Sequence, residues 1–154
     1  MQRARFKGVS CTMNFEDQVH LNWTNAVFYF THNFFSYEHE VVNGLISNSS
    51  EVRCASIAVL NQSNSVKCRD QIFDMLSDES QTVIEFALEY FQEFGLPEHS
   101  KKILTLINEH PFNVSNALAN IFPDCCGIIL EDDEIKEKER IIQCWESAIT
   151  KYGN

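Results

Sequence analysis

The residues able to do chemistry are thinly spread. His20, His32, His39, His99 and His110 are scattered along the chain, and the nearest pair, His32 and His39, shares a helix face two turns apart. That separation is too wide for one metal ion without ligands from elsewhere. Six cysteines (Cys11, Cys54, Cys68, Cys125, Cys126, Cys144) form neither a CxxC pair nor a zinc-ligand spacing. Adjacent Cys125 and Cys126 are badly placed to bridge to one another, and nothing local activates any thiol. There is no glycine-rich phosphate loop, no GxSxG and no HExxH. Glu131, Asp132, Asp133 and Glu134 are consecutive rather than opposed, which suits the start of a helix and not a general acid/base pair. The expectation is no enzyme, no cofactor and no metal. One charged pattern has helical geometry: Glu85, Glu89 and Glu93 recur at i, i+4 and i+8 and so share a helix face.

The elements that must carry this row follow from an internal repeat. Segments beginning at Glu51, Thr82 and Asn113 align without a gap, at i, i+31 and i+62. Val52, Val83 and Val114 form one column, Leu60, Phe91 and Phe122 a second, and Val59, Tyr90 and Ile121 a third. Upstream, Val41, Ile72 and Ile103 align, as do Val42, Phe73 and Leu104, and then Leu45, Leu76 and Ile107. A polar turn separates the halves, and within each half the apolar residues fall at helical intervals. Ser49 and Ser80 are expected to cap the second helices through their side chains, and Pro97 and Pro111 to occupy first helical positions. The spacing predicts helix pairs at 37–46 with 50–61, 67–77 with 80–94, and 97–108 with 111–122. Single cap helices at about 15–35 and 133–152 flank them, so that 1–35 and 123–154 close a single all-helical domain spanning 1–154.

These paired helices, with Asp78 in a polar turn and Arg53 directly after Val52, resemble the HEAT/armadillo class of helical repeats over about 37–122. The resemblance is to the class, without a specific family. It implies an all-α fold: a short right-handed α-solenoid of antiparallel helix pairs. It also implies that the second helix of each pair lines a concave groove. One column there reads Cys54, Glu85, Asn116 and the next Ala58, Glu89, Asn120. The partner-binding residues expected are therefore Glu85, Glu89, Glu93, Asn116, Asn120 and Arg53, forming an acidic, amide-rich groove for a Lys/Arg-containing peptide or helix of a protein partner. A compact helical bundle is the alternative, since Asn22-Trp23 resembles the first homology motif of Bcl-2-like proteins, with Thr24-Asn25 where Gly-Arg belongs. Such a bundle would instead take an amphipathic helix in an apolar groove.

Composition narrows the partners. The chain has 154 residues, 44% of them hydrophobic and 12% aromatic, enough to bury a core without metal or disulfides. Its formal net charge of −10 repels phosphate backbones and anionic lipid, so neither nucleic acid nor membrane is an expected partner. The most apolar run, 26–35, falls short of the roughly 20 residues a spanning helix takes. No secretory run follows Arg3, Arg5 and Lys7, so the sequons at Asn22, Asn48, Asn61 and Asn113 are read as incidental. Free thiols agree with a cytoplasmic or nuclear location. The rings of Phe28, Tyr29, Phe30, Phe34, Phe35 and Tyr37 serve either as the core of the N-terminal cap or as an apolar patch for self-association or a larger complex.

Overall fold

A computed structural model of the chain describes residues 14–125 and 135–153, with side chains at 14–125 and 139–153. Cys11, Cys126 and the acidic run 131–134 lie outside the described residues. All regular structure among the described residues is helical: α1 (Phe15–Leu21), α2 (Trp23–His32), α3 (Phe34–Gly44), α4 (Ser50–Gln62), α5 (Arg69–Asp74), α6 (Gln81–Phe94), α7 (Ser100–Leu104), α8 (Pro111–Ile121) and α9 (Ile135–Tyr152). Short 3-10 turns lie at Met75–Ser77, Pro97–His99 and Pro123–Cys125. The helices gather into two compact units, Met1–Cys68 and Arg69–Asn154.

Most columns of the repeat are core columns, whereas Val42, Phe73 and Leu104 are half-buried in every copy. Val52, Val83 and Val114 are fully buried, as are Val41, Ile72 and Ile103. Leu45, Leu76 and Ile107, and Leu60, Phe91 and Phe122, are buried in every copy as well. The turns repeat in part. Ser47 Oγ accepts from Ser49 N–H at 3.1 Å, and at the equivalent place in the next copy Asp78 Oδ1 accepts from Ser80 N–H at 2.8 Å. Ser49 and Ser80 do stand at the N-cap positions, but their side chains make no cap bond; their own amides are captured instead. In the third copy Pro111 takes the place of Ser80, and a proline has no N–H to offer. There the helix starts directly at the proline, with His110 before it.

In the first unit, the single helix expected over 15–35 is three segments. Asn22 donates its backbone N–H to Gln18 O at 2.9 Å and accepts from Asn25 N–H on its side chain at 3.0 Å. It thus closes α1 and opens α2. Asn33 Nδ2 donates to Tyr29 O at 2.8 Å, ending α2, while its own carbonyl accepts from Ser36 N–H at 2.9 Å. Both asparagines outcompete the regular backbone ladder, the reason this residue type is poor in helix interiors. α1, α2 and α3 each pack on α4, which is buried without a break from Val52 to Leu60. The aromatic cluster divides: Phe30 and Phe34 enter the core, with Phe30 edge-on to Phe15 at 4.8 Å, whereas Phe35 is 96% exposed and Phe28 43%.

In the second unit, α6 and α8 run parallel. His110, at the start of α8, touches Gln81 and Glu85 in the first turns of α6. At the other end, a Cβ on Gly95 would lie 2.7 Å from Ile121 Cδ1. α5 packs on α6, and α7 packs on α8 and α9. Trp145 of α9 is completely buried.

Gly44 marks the tightest crossing of the first unit. A Cβ there would run into Ser56 Oγ and lie 2.8 Å from the Phe15 ring, and Ser56 is itself tied to Val52 O at 3.0 Å. Gly44→Ala is therefore expected to lose about 1–3 kcal/mol of stability by overpacking, read as a lower urea midpoint. Ser56→Gly in the same chain restores part of it.

Candidate functional site

The second helices of the two copies in the second unit present a matched face. Val83 and Ile84 on α6, and Val114 and Ser115 on α8, point inward. Their successors Glu85 and Asn116 are exposed, and so are Glu89 and Asn120 one turn later. Glu93 continues the exposed row to the end of α6. Because α6 and α8 are parallel and share the register of the repeat, an acidic row and an amide row lie side by side. Each row advances about 6 Å per turn-and-a-bit from one member to the next.

Burial, and then the neighbouring Glu85 charge, push the Glu89 carboxyl above the usual range. His110 Nδ1 stands 3.6 Å from Glu85 Oε1, and His110 Nε2 lies 2.8 Å from Gln81 Oε1. His110 is 8% exposed, so one buried ring joins the start of α8 to the first turns of α6 beside Glu85. Sequence reasoning misses His110. Its signal is its place directly before a proline that opens a helix, where a side chain lies between two helix starts.

The first copy departs from the pattern. Cys54 and Ala58, which share columns with Glu85 and Glu89, are buried. Arg53 is also buried, and its Nη1 donates to Ser47 O at 2.8 Å, holding the turn that precedes α4. The matched polar face is thus made of α6 and α8, and Arg53 lies in the other unit.

Of the remaining reactive groups, Cys54 and Cys68 are buried thiols and Cys144 is an exposed one. Burial, and then Glu38, raise the Cys68 thiol; Lys67 works the other way. His20 lies 3.4 Å from Glu51 and 3.8 Å from Glu16 on open surface. Among the described residues no group of histidine, cysteine, aspartate or glutamate could hold a metal ion. Nor is any described helix long and apolar enough to cross a membrane.

Removing the charge of Glu89 tests the crowding. The raised carboxyl means that ionisation costs the folded state more than the unfolded one, so the cost is absent below the unfolded value near 4.5 and complete above the raised folded value. Glu89→Gln is expected to gain about 0.2–0.5 kcal/mol at pH 7, less in high salt, and nothing at pH 4. Paired denaturant titrations at the two pH values read the difference.

Comparison with protein-family models, curated proteins and solved structures finds no match to the chain.

Proposed function

We propose that this protein is a non-catalytic interaction module whose α6/α8 face binds a Lys/Arg-containing segment of a protein partner. One observation carries the reading: Glu85 and Asn116, and Glu89 and Asn120, are exposed in the same register while Val83, Ile84, Val114 and Ser115 before them are buried. The acid row supplies charge, and the amide row supplies donors and acceptors for a peptide backbone or polar side chains. A cation beside Glu89 would offset the burial, and then the neighbouring Glu85 charge, that lift its carboxyl. The parallel α6/α8 pair further supports a HEAT-like stacking of helix pairs in this unit, with the acid and amide rows on its groove side. Exposed Phe35 and Phe28 of the first unit are the surface we assign to self-association or to a larger complex. Free thiols, both buried and exposed, suit a reducing compartment, the cytoplasm or nucleus.

A second reading has its own observation. The segment from Lys101 to Asn108 and one face of α9 bound a cleft of about 570 Å³, with Leu104, Ile107, Ile142 and Ile149 as its apolar lining. Each wall is about two helical turns long, dimensions that suit the apolar face of an amphipathic helix, as in the compact-bundle alternative.

The two readings differ in their response to salt. A labelled Lys/Arg-rich peptide is titrated into the wild type and into Glu85→Lys/Glu89→Lys/Glu93→Lys, with circular dichroism confirming that both are helical. Binding to the wild type is expected to weaken steeply between about 0.05 and 0.5 M salt, and the variant to bind about tenfold more weakly or worse. Equal binding by the two proteins would overturn the acidic face. Salt-insensitive capture of an amphipathic apolar helix, abolished by Ile142→Asp, would establish the second reading.

A further inference from the structure

The corner between α6 and α7 closes on a histidine. α6 ends at Phe94, and Gly95 follows it so tightly that a Cβ there would lie 2.5 Å from Phe91 O. Pro97 has no N–H, so the Leu96 N–H is the donor available at the turn. It donates to His99 Nδ1 at 2.9 Å. The neutral ring therefore carries its proton on Nε2 and offers Nδ1 as an acceptor. The ring is 5% exposed and stacks near Phe73 of α5 at 5.0 Å and Phe91 of α6 at 4.9 Å. One residue on, Ser100 is fully buried and its hydroxyl donates to Pro97 O at 2.5 Å.

We propose that His99 is a proton-operated latch: the neutral imidazole holds the α6–α7 corner shut, and protonation at Nδ1 releases it. A proton on Nδ1 would face the Leu96 N–H donor to donor, and the side-chain hydrogen bond of the corner would be lost, leaving the backbone bond from His99 N–H to Leu96 O at 2.9 Å. The cation would also stand among two aromatic rings, with little water to solvate it. The charged groups acting on the ring are Glu98 on its own turn and Arg69 and Asp70 on α5. Burial is the largest effect and holds the imidazole below its ordinary range; Glu98 and Asp70 oppose that, and Arg69 adds to it. The sign follows. An opened corner titrates near the ordinary histidine value of about 6.5, and the closed one only at lower pH. Between those values the open form binds the proton more tightly, so acid favours opening by up to about tenfold per pH unit. α8 and α9 both pack on α7, so the latch governs the helix that joins them to the corner.

Amide hydrogen exchange on the full chain tests this, with protection factors corrected for intrinsic rates between pH 7.5 and 5. Protection over 96–104 is expected to fall below about pH 6.5 by up to tenfold per unit, while amides in the middle of α4 hold theirs. The His99 ring resonances of the folded protein should titrate below the pH at which this fall begins. His99→Gln keeps an acceptor that does not titrate in this range and should abolish the fall. Loss over 96–104 that merely parallels α4, that occurs although the His99 ring of the folded protein titrates at or above the ordinary value, or that persists in a folded His99→Gln protein would overturn the latch. The comparison within the wild type decides the matter even if the variant does not fold.

Discussion

Helices of five to seven residues, such as α1, α5 and α7, do not persist alone in water, because nucleation costs more than so few backbone bonds return. α5 and α7 depend on apolar columns such as Val41, Ile72 and Ile103 that recur in register and are driven out of water in each copy, and α1 depends on buried Phe15 and Val19. Each buried valine or leucine contributes on the order of 1.5–3 kcal/mol of transfer free energy. A short first helix placed against a long second helix shares that gain. The second helices of the pairs, α4, α6 and α8, therefore organise the fold, and the short ones are held in place by contact with them.

The same division explains the candidate site. A helix that buries one stripe must leave the opposite stripe to solvent, and whatever lies there is free of packing duty. On α6 and α8 that stripe holds carboxylates and amides in register. On α4 the equivalent stripe holds cysteine and alanine, and it is buried. The difference tracks composition: where a column keeps small apolar residues, other helices can pack on both sides of it.

Much of this is legible in the sequence. The column residues, the turn positions, the prolines at helix starts and the exposed run of Glu85, Glu89 and Glu93 all follow from spacing, because core burial and helical period leave a direct imprint on residue type. The breaks at Asn22 and Asn33 are not legible, since an asparagine in an apolar stretch is compatible with either a helix interior or a cap until its hydrogen-bond partners are known. Arg53 reads as a binding residue from its place after Val52; the carbonyl that its guanidinium engages belongs to Ser47, upstream of the helix, which no periodicity announces. His110 escapes for the same reason, as its partners Gln81 and Glu85 stand on another helix, far from it along the chain.

Asn22 serves two helices at once, as the last anchor of α1 through its backbone N–H and the first of α2 through its side chain. Helix ends ordinarily fray independently, each losing its terminal turn without regard to the other. A shared residue removes that freedom: when the end of α1 unwinds and swings Asn22 away, α2 loses its cap in the same movement. Two helices of seven and ten residues are in this way made to melt as one longer unit, although a bend separates them.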